Sequence, residues 1–80
     1  MPRLKALSGE NLIKIFFSFG FAATSQKGSH IKLRRKIQGI NQTLTIPNHN
    51  ELDAGTLHAI FHQALRYIPE TEFRQHFYTD

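Results

Sequence analysis

Residues 29–36 read SHIKLRRK, and the spacing of their apolar members decides the architecture. Ile31 and Leu33 stand two apart, with His30, Lys32, Arg34 and Lys36 on the alternate positions. A period of two is what a β-strand with one buried face requires, because successive side chains point to opposite sides of a sheet. The segment is read as a strand that buries Ile31 and Leu33 and exposes His30, Lys32, Arg34 and Lys36 together.

The same period continues on both sides. Upstream, in FAATSQ, Phe21 and Ala23 fall on one side and Ala22, Thr24 and Gln26 on the other, and Lys27 with Gly28 can form a tight hairpin turn. Downstream, QGIN at 38–41 makes a second turn. The following QTLTIP at 42–47 reads as a third strand with Leu44 and Ile46 inward, Thr43 and Thr45 outward, and Pro47 as its end. Three such strands form an antiparallel meander with one apolar and one solvated face.

The flanks change to helical spacing. Ser8 can cap a helix from about Gly9 to Phe19, with Glu10 favourable in its first turn and Gly20 as the stop. Leu12, Ile15, Phe16 and Phe19 form its apolar stripe, which Ile13 and Phe17 widen. After the turn-rich PNHNELDAG, Asp53 caps a second helix striped by Leu57, Ile60, Phe61, Ala64 and Ile68. Pro69 with Glu70 and Glu72 then suits the opening of a short last helix. The expected fold is α+β: a three-stranded antiparallel sheet with two main helices on one face, in the order α-β-β-β-α plus a short C-terminal helix.

With 80 residues, the chain is read as a single domain over 1–80, without repeats or low-complexity linkers. No cysteine is present, which removes disulfides and thiolate metal sites and fits a reducing compartment. The most apolar stretch, Leu12 to Ala23, includes Lys14, is broken by Gly20 and falls short of the roughly 20 apolar residues of a membrane span. MPRLKALSGE lacks the apolar core of a signal peptide, so a cytoplasmic location without membrane attachment is expected.

Ten Lys and Arg against six Asp and Glu give a net charge of +4. Lys27, Lys32, Arg34, Arg35 and Lys36 lie together in a stretch free of acids, so the main electrostatic feature is one cationic strip suited to a polyanion.

His30 stands on that strip. An RNA 2′-hydroxyl is a built-in nucleophile, and its attack on the adjacent phosphate needs one group to accept a proton, another to donate one, and cations for the charge that develops. An imidazole, whose ordinary pKa lies near 6.5, serves in either proton-transfer role at neutral pH. Lys27, Lys32 and Arg34 suit phosphate binding. A solvated histidine on a basic sheet is the plain alternative, and it would belong to a non-catalytic module that reads RNA by shape. A protein-interaction domain docking an acidic partner is a third reading.

The other candidates are weaker. Strand alternation separates Ser29 from His30, which argues against a serine–histidine dyad. His58 and His62 share a helix face but lack the further ligands of a zinc site. His49 in a loop and His76 near the end have no evident local partner. No phosphate-cradling glycine loop is present.

The ordered set KGSH at 27–30, TIP at 45–47 followed by His49, ELDAGTLHAIFHQA at 51–64 and PETEF at 69–73 resembles the HicA family of toxin ribonucleases across nearly the whole chain. The resemblance implies a fold similar to the double-stranded RNA-binding domain and activity as a metal-independent mRNA interferase, without a small-molecule cofactor. It further implies that His30 is catalytic and that a HicB-type antitoxin covers the active surface and commonly brings a DNA-binding segment. Gly28 and Ser29 would shape the turn presenting His30. Two stretches depart from the family pattern: LRRK at 33–36, and RYIPE at 66–70 before the last helix.

Overall fold

In the computed structural model, which describes residues 2–79, the chain runs β1 (Arg3–Leu4), α1 (Gly9–Ser18), β2 (Ala22–Lys27) and β3 (His30–Ile37). It continues with β4 (Ile40–Pro47), α2 (Ala54–Ala64), α3 (Glu70–Phe77) and β5 (Tyr78–Thr79). Strands β2, β3 and β4 make one antiparallel sheet in that order. The expected α+β order is present. A small antiparallel pair, β1 with β5, is an addition that two-residue strands are too short to announce by alternation. It ties the two ends of the chain together, and Lys5 N–H donates to Phe77 O beside it at 2.7 Å.

Helix α1 begins with a reciprocal cap. Asn11 N–H donates to Ser8 Oγ and Ser8 N–H donates to Asn11 Oδ1, each at 3.0 Å. It ends in a Schellman motif, with Gly20 N–H donating to Phe17 O and Phe21 N–H to Phe16 O. The apolar contact that accompanies this motif is the edge-to-face packing of Phe16 and Phe21, centroids 5.8 Å apart. Leu12 and Phe16 are fully buried, whereas Phe17 is 48% exposed. Phe17 therefore does not widen the buried stripe as expected: it lies past the edge of the arc that faces the sheet.

The sheet buries Ile31 and Leu33 from β3 and Leu44 and Ile46 from β4, as their alternation requires. Strand β2 departs from simple alternation. Thr24 is an extra residue between Ala23, paired with Leu33, and Ser25, paired with Lys32. This bulge reverses the parity of everything after it. Gln26 consequently pairs with Ile31 rather than sharing the side of Ala22, which pairs with Arg34. Beyond Phe21 the strand, one of the two at the sheet edge, is exposed throughout.

The first hairpin turn is Gly28–Ser29, one residue later than expected, because Lys27 is already paired with His30. Gly28 takes φ 60°, the positive value that the first central residue of a type II′ turn needs. The second turn is Gln38–Gly39, closed by the Ile37–Ile40 pair, so Ile40 and Asn41 already belong to β4.

Asp53 caps α2 by accepting from Thr56 N–H at 2.7 Å, and this bond to the backbone holds its carboxyl below the ordinary carboxylate range. The helix stops at Ala64, yet Ile68 is still buried because the turn that follows the helix stays against the core. Helix α3 contributes more than its length suggests. Phe73 and Phe77 are fully buried. Phe73 stacks on Phe16 and Phe61 at 5.4 and 5.6 Å, which joins all three helices through one aromatic cluster.

Arg35 continues the inward side of β3, after Ile31 and Leu33. Its guanidinium donates to Phe19 O at 2.8 Å, Tyr67 O at 2.9 Å and Gln42 Oε1 at 2.6 Å, and lies 4.8 Å from the Phe21 ring centre. It fastens the ends of α1 and α2 to the sheet, so this member of the cationic run serves the fold.

Candidate functional site

The outer face of the sheet is assembled from cross-strand neighbours, whose side chains share a side. Reading across from β2 to β4, the rows are Lys27, His30 and Pro47, then Ser25, Lys32 and Thr45, then Ala22, Arg34 and Thr43. Lys36 with Asn41 completes it. The central strand thus carries a ridge of cations bordered by small or neutral side chains. Long side chains above small neighbours remain accessible to a large ligand.

The residues expected to form the site, His30, Lys27, Lys32 and Arg34, come together on this face, and each is exposed. Lys27 arrives there through the Thr24 bulge. Without that extra residue it would fall on the side of Phe21. Among the described residues the ion pairs are Lys14–Glu10 and Arg74–Glu70, both within helices, and no carboxylate neutralises the ridge. Its charge is left for a partner.

Gly28 and Ser29 form the turn before His30, and a second segment braces that turn. Asn48 N–H donates to Ser29 O at 2.7 Å, and Ser29 Oγ lies 3.1 Å from His49 Nε2. His49 therefore has a partner, though not a local one: the contact spans 20 positions of sequence that no local pattern could reveal. Ser29 itself sits in the turn, so its histidine neighbour in space is His49.

The 47–49 segment is held from behind by α1. Gly9 N–H donates to His49 O at 2.9 Å, and a Cβ at Gly9 would overlap the Pro47 carbonyl oxygen and come within 2.6 Å of Asn48 Cα. A glycine opens α1 because the helix start touches this backbone directly. The sequence signal was present as Gly9 after the cap, but its meaning depended on the distant loop.

The remaining histidines lie elsewhere. His58 Nδ1 is 3.3 Å from the Tyr78 hydroxyl, and His62 packs edge-on against Phe61. Among the described residues no group of three or more His, Cys, Asp or Glu is gathered as metal ligands would be. No helix among them is long and apolar enough to cross a membrane.

No curated protein and no solved structure matches this chain. The family model described as HicA toxin of bacterial toxin-antitoxin matches residues 9–65, from the first residue of α1 to the residue after α2. That interval contains the whole three-stranded sheet with its basic face, and the chain therefore belongs to the HicA family of toxins, which implies an antitoxin as its counterpart.

Proposed function

We propose that this toxin is an endoribonuclease that cleaves mRNA at the outer face of the sheet. The observation that carries the reading is the position of His30 beside Lys27 across the strand pair, with Lys32 and Arg34 following on the same face and no carboxylate among them. An imidazole in a cationic setting is suited to RNA chemistry, because the cations fix the phosphate while the ring moves a proton.

In this reading the phosphate rests on Lys27, Lys32 and Arg34. The 2′-oxygen attacks phosphorus, its proton passes to a base, the bond from phosphorus to the 5′-oxygen breaks, and an acid protonates that oxygen. His30 serves one of the two proton transfers. The products are a 2′,3′-cyclic phosphate and a free 5′-hydroxyl. Membership of the family and the uncompensated charge both support a HicB-type antitoxin covering this face, with an acidic surface as the chemistry that would meet it.

The test is incubation of the antitoxin-free protein with a mixed-sequence transcript in EDTA, beside His30→Ala. Cleavage leaving cyclic phosphate ends, lowered about 10²-fold or more by the substitution, is expected for a proton-transfer group. Transcript that stays intact would make the face a binding surface only. Undiminished cleavage by His30→Ala would assign the chemistry to another residue.

A further inference from the structure

We infer that His49 is the second proton-transfer residue of this site, acting with His30 on the two oxygens of the scissile phosphate. The inference rests on the ribonuclease reading above and supplies what it lacks. Cleavage through the 2′-hydroxyl needs a base and an acid at once, and among the described residues no Asp, Glu or Tyr shares the outer face with His30: its paired partners are Lys27 and Pro47, and the next row is Ser25, Lys32 and Thr45.

Three contacts bring His49 to that corner. Pro47 is the direct partner of His30 at the end of β4, and His49 follows two residues later. Asn48 N–H donates to Ser29 O, which folds the segment back over the hairpin turn. The imidazole then reaches Ser29 Oγ with Nε2, beside the residue that directly precedes His30. Ser29 directly precedes His30, and Pro47, two residues before His49, is the cross-strand partner of His30, so both histidines belong to the same end of the sheet.

The loop is built to hold a ring there. His49 O accepts from Gly9 N–H, and the close approach of Gly9 to Pro47 and Asn48 supports the segment from the side of α1. The ring is nevertheless exposed, and its Nδ1 makes no hydrogen bond to a described residue. Here one nitrogen is anchored and the other is available.

In the reaction, one imidazole accepts the 2′-hydroxyl proton as the bond from the 2′-oxygen to phosphorus forms. The other gives its proton to the 5′-oxygen as the bond from phosphorus to that oxygen breaks. The pair ends with one proton exchanged between its members and no net gain.

The experiment is the pH dependence of single-turnover cleavage for wild type, His49→Gln, His30→Gln and Ser29→Ala. Glutamine places an amide near the Nε2 position and keeps a partner for Ser29 while losing the ability to titrate. The expected result is a two-limbed wild-type profile, one limb lost in His49→Gln and the other in His30→Gln, each with a fall of about 10²–10⁴ in rate. Ser29→Ala keeps both limbs.

A His49→Gln profile with both limbs would overturn the role of His49 while leaving the nuclease standing. If His49→Gln melts below the assay temperature, the wild-type profile decides, and a single limb there excludes a second histidine. Wild type that leaves RNA intact removes the nuclease reading and this one with it.

Discussion

Arg35 and Lys36 are neighbours in one cationic run, and the strand turns them to opposite duties. Arg35 points inward and donates to two main-chain carbonyls and Gln42, while Lys36 points out beside Asn41. Charged hydrogen bonds contribute about 1.5–3 kcal/mol each and are not additive, so Arg35→Met is expected to lower stability by about 2–4 kcal/mol in urea denaturation. Arg35→Lys should recover only part, because an ammonium cannot reproduce the planar fork that serves three acceptors. A net charge of +4 says nothing of this division. The alternation Ile31, Leu33, Arg35 does place Arg35 inward, but its acceptors at Phe19 and Tyr67 are 16 and 32 positions away and are gathered only by folding.

Caps and turns are the features of individual elements that the sequence states best. Ser8 and Asp53 cap α1 and α2 as expected, because an oxygen one residue before an apolar helical period has one obvious use. Asp53 also predicts a pH effect. Its folded carboxyl is held below its ordinary value of 3.8 by the Thr56 N–H, so the unfolded chain binds that proton more tightly. The contribution is complete above the unfolded pKa and is lost as pH falls through the lowered folded value. Asp53→Asn retains a capping oxygen without titrating, and its urea midpoint should fall less steeply than that of wild type as pH drops below 3.8. Equal slopes would assign the acid sensitivity to other carboxylates. Strand β2 was less legible: the Thr24 bulge has no glycine or proline to mark it, and it is defined by the partner strand.

Across the molecule as a whole the sheet separates two environments: a core of Leu, Ile and Phe beneath, and a field of cations above. On the proposed ribonuclease reading, binding of single-stranded RNA to that field weakens with salt, with a logarithmic slope of about 0.7 for each phosphate that the protein neutralises. Lys32→Ala and Arg34→Ala are each expected to reduce the slope by that amount. Arg35→Met should leave it unchanged, since its charge is spent on the fold. A slope that responds equally to all three substitutions would mean that only total charge matters and that the outer face is no defined site.

Local sequence was enough to establish the α+β order, the buried residues of β3 and β4, the helix caps, and the gathering of His30 with Lys32 and Arg34. All of these follow from periodicity or from neighbours within a few positions. Folding in three dimensions settled what depends on distant partners: the bulge that turns Lys27 to the outer face, the use of Arg35 as an internal fastener, the burial of Phe73 and Phe77, and the meeting of His49 with Ser29. Alternation tells a side chain which face it is on, but only the folded chain determines which residues from other segments meet it there.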